Sequence, residues 1–253
     1  MRIALKRILS ANYHLLREIL ENRTHILLRK NCSYMADGMA TANWSEFLNE
    51  PEFDSAFSKS WEGVQASSSG EQRFPQTKWR AHIVSWAFNQ TRELPGDYVE
   101  CGTWYGTLML SSCIHNRFDY YNKKLILCDT WGPNSSTPLH SKYQKDIYNE
   151  VKTRFDRFKN VLFVRGELPG TLEDVDRMVE KISFLSLDLN DGVTERTILE
   201  NLWTKLVPGA IVYFDDYGGR AFENVRKQVD EFLKGKEETL LHFPNQVSIL
   251  IKK

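Results

Sequence analysis

Two hydrophobic runs in the second half of the chain end in carboxylates. Phe184-Leu185-Ser186-Leu187 stops at Asp188, with Asn190 two positions on, and Ala210 to Phe214 stops at Asp215-Asp216-Tyr217-Gly218. If both runs are strands of one parallel sheet, their carboxyl ends open on the same crevice, and Asp188, Asp215 and Asp216 converge there. Three gathered carboxylates repel one another unless protons or a cation neutralise them. An all-oxygen ligand set suits Mg2+ or another hard divalent cation. Taken singly, each aspartate has a plainer reading as a helix cap or a water-binding turn residue.

Two further features belong to the same kind of crevice. In Asp97-Tyr98-Val99-Glu100-Cys101-Gly102-Thr103-Trp104-Tyr105-Gly106, a strand carries a carboxylate near its end and runs into a turn with two glycines. Glycine there lets a ligand approach the backbone. The spacing is not that of the three-glycine dinucleotide fingerprint, which argues against a nicotinamide-dependent dehydrogenase. Asp129 ends the next strand, where carboxylates of nucleoside-binding α/β folds accept hydrogen bonds from ribose. Capping or turn formation is its equal alternative.

These residues need a frame that alternates strand and helix, and the pattern supplies one. Strands are expected at Asp97 to Cys101, Lys124 to Cys128, Val161 to Arg165, Ile182 to Leu187 and Ala210 to Phe214. Helices are expected at Trp79 to Glu93, Thr107 to His115, Gln144 to Phe155, Leu172 to Glu180, Val193 to Leu206 and Glu223 to Lys234. The fold class is therefore α/β, a mostly parallel sheet with helices on both faces. Glu238 to Leu241 and Gln246 to Ile251, joined through Pro244-Asn245, add an antiparallel C-terminal hairpin.

The first part of the chain reads differently. Leu5, Ile8, Leu9, Leu15, Leu16, Ile19 and Leu20 interleave with Lys6, Arg7, Arg17 and Arg23, an amphipathic basic helix suited to docking on a partner subunit or on the body. A membrane-surface or targeting helix is the other reading. From Met35 to Arg73 the sequence is polar and loop-like, with a small-residue run at Ser67 to Gly70. The expected division is a helical extension with a loop or lid over residues 1–78 and the main domain over 79–253.

Bulk composition narrows the classes. The 253 residues carry 33 basic and 33 acidic side chains, with 42% hydrophobic content, so no charge excess points to nucleic acid. No apolar run approaches the ~18 residues that span a bilayer. Cys32, Cys101, Cys113 and Cys128 lack metal-type pair spacing and read as reduced residues of a cytoplasmic protein.

The order and spacing of Gly96 to Gly106, Cys128-Asp129-Thr130-Trp131-Gly132, the Asp188 segment and Leu206-Val207-Pro208-Gly209 through Gly218 resemble the macrocin O-methyltransferase (TylF-like) family of class I S-adenosylmethionine methyltransferases. The resemblance spans roughly Trp79 to the C-terminus and implies a Rossmann-like fold. It implies that Glu100, Gly102, Thr103 and Gly106 form the cofactor turn and that Asp129, with Thr130, meets the ribose of S-adenosylmethionine. Glu167, after the third strand, is a weaker contact on the adenine side. The same resemblance makes Asp188, Asp215 and Asp216 a Mg2+ site, with His140 or Asp188 as the catalytic proton acceptor, and a sugar or glycosylated small molecule as acceptor. A homo-oligomer is expected. Asn190, Gly192 and Glu195 depart from the second aspartate, tyrosine and threonine usual in the family, so a cofactor- or glycan-binding relic without turnover is the alternative reading. Asn190 still offers a carbonyl oxygen to a metal.

Overall fold

In the computed structural model, the residues described are 32–64, 77–133 and 145–253. The expected N-terminal amphipathic helix, the Ser67 to Gly70 run and His140 lie outside them. The chain forms two compact units, Met1–Phe47 and Leu48–Lys253.

In the first unit the described residues form a two-stranded antiparallel hairpin, β1 (Tyr34–Ala36) and β2 (Met39–Thr41). Asp37 and Gly38 both take positive φ, 54° and 74°, the two-residue turn that an Asp-Gly pair favours. The loop expected from Met35 onward is thus partly strand.

The second unit begins with α1 (Pro51–Ser60), which also replaces expected loop. Proline at its first turn and Glu52 and Asp54 near the helix N-terminus favour this start, while Phe53, Ala56, Phe57 and Ser60 form the buried face. That face packs on the helix Thr107–His115, which follows the glycine turn. The expected division at 78/79 falls at the start of α2 (Lys78–Gln90), inside this unit.

The remaining elements follow the expected alternation: β3 (Asp97–Cys101), α3 (Thr107–His115), β4 (Leu125–Asp129), α4 (Tyr148–Arg154), β5 (Val161–Arg165), α5 (Leu172–Met178), β6 (Ile182–Leu187), α6 (Gly192–Leu202), β7 (Leu206–Phe214), α7 (Glu223–Leu233), β8 (Leu240–His242) and β9 (Ser248–Ile251). The seven strands lie in the order β5-β4-β3-β6-β7-β9-β8. β3 to β7 are parallel, and β9 runs antiparallel to both β7 and β8.

Alternating side chains of each strand feed two cores. Tyr98, Leu125, Leu127, Phe184, Ile211 and Tyr213 pack with residues of α2, α3 and α4 on one face. Val99, Cys101, Ile126, Leu185, Leu187 and Val212 pack with residues of α5, α6 and α7 on the other. Near-continuous apolar strands are what two covered faces require. On the first face Phe88 meets Tyr98 and Phe118 in tilted contacts and Phe184 edge-to-face, at ring-centroid distances of 4.6, 5.6 and 5.2 Å. Each such ring contributes roughly 1.5–3 kcal/mol by leaving water.

Candidate active site

The carboxyl ends of β3, β4, β5, β6 and β7 all point the same way because the strands are parallel, and every expected site residue among the described ones sits at one of these ends. β3 and β6 are neighbours, as are β6 and β7. The turn after β3 therefore lies beside Asp188, and Asp188 lies beside Asp215 and Asp216.

Contact between the first two is close. Gly102 donates its N–H to the Cys128 carbonyl at 2.9 Å, and Asp188 donates its N–H to the Cys101 carbonyl at 2.9 Å. Gly102 has φ +92°, and a Cβ there would meet the Asp188 carbonyl group, its carbon at 2.6 Å. Gly106, at φ +66°, caps α3 in a left-handed conformation, with Phe155 filling the place of its missing side chain. Thr103 is buried between them, its hydroxyl 3.5 Å from the Cys128 carbonyl.

Glu100 is 3% exposed, and its Oε2 is buried without a hydrogen-bond partner. Burial pushes its carboxyl well above the usual carboxylate range, against a hydrogen bond from Thr103 that lowers it. An unsatisfied acceptor under a glycine turn is what a ligand with donor groups would complete.

Asp129 gathers the loops on either side of the crevice. Its Oδ2 accepts from the Trp104 N–H at 2.8 Å, and its Oδ1 from the N–H groups of Thr130 and Trp131 at 2.6 and 3.3 Å. Trp131, fully buried, donates its indole N–H to the Trp104 carbonyl at 2.9 Å. Glu167 is half-buried in the loop after β5, and neighbouring Gly166 donates to the Asp129 carbonyl at 3.0 Å.

Asp188, Asp215 and Asp216 offer carboxylate oxygens that all lie within 4.8 Å of one another. Burial raises the Asp188 carboxyl well above its ordinary range, and the nearby Asp215 and Asp216 charges add to the effect. Tyr213 donates its hydroxyl to Asp215 Oδ1 at 2.7 Å, and Gln246 donates its side-chain N–H to Asp216 Oδ1 at 3.0 Å. Arg80, from the first turn of α2, donates to Asp215 Oδ2 and lies 3.7 Å from Asp216 Oδ1.

Arg80, Tyr213 and Gln246 were not among the residues singled out for the cluster. The signal for Arg80 was present: it is the one charged side chain among the buried positions of α2, and a buried guanidinium needs a carboxylate. Gln246 had no such signal, since only the antiparallel return of β9 brings its loop to the tip of β7.

Glu195 is a further carboxyl beneath the cluster. It is 1% exposed; Oε1 accepts from the Leu189 N–H at 3.3 Å and Oε2 has no hydrogen-bond partner. Burial, with Asp216, Asp215 and Asp191 adding to it, pushes its pKa up to about 8. An acid whose pKa rises on folding binds more protons in the folded chain, so it subtracts stability as pH rises from about 4.5 through about 8. Glu195→Gln keeps the bond from Leu189 and removes the charge. Urea unfolding of the metal-free protein should show the variant close to wild type at pH 5 and more stable by about 3 kcal/mol at pH 8. Parallel pH dependence in the two proteins would contradict the assignment.

The strand order, the glycine turn after β3 and the acidic residue ending β4 define a class I S-adenosylmethionine methyltransferase. The family model for macrocin-O-methyltransferase (TylF) matches residues 5–242, and the chain belongs to that family. It is an S-adenosylmethionine-dependent O-methyltransferase. Among solved structures, the O-methyltransferase NovP is similar at TM-score 0.60 and 19% identity, over 71% of this chain and 81% of that one. The calicheamicin methyltransferase CalS11 is similar at TM-score 0.57 and 14% identity, over 80% and 93%. At these identities the likeness shows the shared fold. No match to the sequence is found among curated proteins. No helix among the described residues is long and apolar enough to cross a membrane.

Proposed function

We propose that this methyltransferase acts on a hydroxyl of a sugar or glycosylated small molecule and that Asp188, Asp215 and Asp216 hold a divalent cation, Mg2+ or another hard ion. The observation that carries the metal reading is the convergence of the three carboxylates at the tips of β6 and β7, beside the turn after β3. Their donor set is all oxygen, and their mutual repulsion in a buried place is relieved by a dication. The sugar class is suggested by the family and by the related protein described as a TDP-rhamnose 3'-O-methyltransferase.

When bound, the sulfonium cofactor supplies the methyl group and the dication lowers the pKa of the acceptor hydroxyl. Glu100, Gly102, Thr103 and Gly106 shape the cofactor side of the crevice. Asp129 orients the ribose side, with Thr130 next to it and Glu167 toward the adenine. Asp188, Asp215 and Asp216 would hold the dication that positions the acceptor oxygen, and positioning of this kind supplies much of the rate. Asp188 and His140 are the candidates for taking the hydroxyl proton. The four cysteines are free thiols, which supports a reducing, cytoplasmic setting.

Methyl transfer from S-adenosylmethionine to a panel of nucleotide sugars and glycosides, by metal-stripped protein with and without added Mg2+, tests the proposal. Activity is expected to fall by about 100-fold or more without metal and to return on addition. Undiminished turnover in the stripped protein rejects the metal, and turnover only on acceptors without a sugar rejects the substrate class.

A further inference from the structure

Arg80 occupies a place that the metal reading does not account for. Arg80 is 7% exposed, and its Nη1 faces two members of the acidic cluster: it donates to Asp215 Oδ2 and stands 3.7 Å from Asp216 Oδ1. Asp215 Oδ1 is already taken by the Tyr213 hydroxyl at 2.7 Å, and Asp216 Oδ1 by Gln246 at 3.0 Å. Both oxygens of Asp215 and one of Asp216 are thus engaged by donors of this chain.

The spacing of the cluster fits that arrangement. One carboxylate oxygen from each of the three aspartates lies within 4.8 Å of the other two. Neighbouring oxygens around Mg2+, each bound at about 2.1 Å in octahedral geometry, stand only about 3 Å apart. A dication shared by Asp215 and Asp216 would have to take up oxygens that Nη1 now faces, Asp215 Oδ2 and Asp216 Oδ1. Charge acts in the same direction, because a guanidinium beside Asp215 and Asp216 offsets part of the negative charge that would attract a dication.

We propose that Arg80 is a positioning residue that fills the bridging place between Asp215 and Asp216 when no dication is bound and competes with the dication for it. The inference rests on the metal reading above. Arg80 keeps the aspartates gathered in the metal-free chain, and it weakens their hold on the metal by contributing a positive charge and by engaging Asp215 Oδ2. A residue that merely braced the site would act in the opposite sense, since its loss would loosen the ligands and weaken binding.

The test is titration of Mg2+ into the chelator-stripped full chain by calorimetry, with Mn2+ followed by electron paramagnetic resonance as a second probe. Wild type, Arg80→Met and Arg80→Lys are compared. Arg80→Met is expected to bind Mg2+ about tenfold or more tightly than wild type, because a like charge leaves the cluster. It should also melt lower than wild type in chelator and gain more on adding Mg2+. Arg80→Lys, which keeps the charge but cannot fork between two carboxylates, should lie within a few-fold of wild type on the tighter side. If Arg80→Met does not fold in chelator, recovery of its fold by Mg2+ is the expected result. Failure to recover with Mg2+ counts against the proposal, as does weaker binding by Arg80→Lys. Wild type that binds Mg2+ alongside an Arg80→Met protein that binds no more tightly overturns the role of Arg80 alone. If neither protein binds Mg2+ or Mn2+, the metal reading falls as well.

Discussion

Gly102→Ala is expected to lower the stability of the chain by about 3 kcal/mol or more and to abolish measurable S-adenosylhomocysteine binding. Two costs coincide at this position. The backbone holds φ +92°, which a residue with a Cβ rarely adopts, and the Cβ would run into the Asp188 carbonyl group, whose carbon would lie at 2.6 Å. The obstacle is backbone that is itself tied down, because the Asp188 N–H is bonded to Cys101 and the Gly102 N–H to Cys128. Relief therefore requires β3 and β6 to move apart at the point where the turn and the acidic cluster meet. Gly235→Ala separates the two costs: its φ is +78°, yet nothing lies within 4 Å of the added Cβ. That variant should lose only about 1 kcal/mol and keep cofactor binding. Thermal melts and calorimetry of both proteins check the pair. Equal destabilisation would mean that backbone conformation alone sets the cost at Gly102.

The same contact explains how much of the site could be read from sequence. The strands that carry it are buried on both faces, so they stand out as apolar runs, and each run ends in a residue that interrupts it: Gly102, Asp129, Asp188 or Asp215. Parallel pairing then places those ends together without any further information. What was missed depends on contacts distant in sequence. α1 has only Phe53, Ala56, Phe57 and Ser60 facing inward among charged neighbours, and its packing on α3 is a tertiary fact. The hairpin β1–β2 has strands of three residues, too short for alternation to show, although Asp37-Gly38 marks its turn. Element ends moved for local reasons. α4 starts at Tyr148 instead of Gln144, and β7 reaches back to Leu206 through Pro208 and Gly209, a segment the helical pattern had partly claimed. Arg80 and Gln246 reach the cluster from opposite ends of the domain, one by a helix before the first strand of the sheet and one by the loop before the last.

Asp188→Asn should separate catalysis from stability in opposite directions. In the metal-free chain burial disfavours the Asp188 charge, Asp215 and Asp216 within 4.8 Å add to the effect, and Arg80 offsets part of it. An amide of the same shape removes one of the mutually repelling charges. The variant is therefore expected to melt a few degrees higher than wild type in chelator at neutral pH, a gain of about 1–2 kcal/mol. In the proposed enzyme the same carboxylate is a metal ligand and a candidate proton acceptor, so methyl transfer should fall by about 100-fold or more, and the stabilisation by Mg2+ should shrink. Cofactor affinity should change little, because Glu100 and Asp129 lie at other strand ends. A site held under electrostatic strain for a reaction shows this trade of activity for stability, whereas a carboxylate that only caps the loop does not. A fall in melting temperature with turnover intact would return Asp188 to a structural role, and it would leave Asp215 and Asp216 without the third ligand on which the cluster depends.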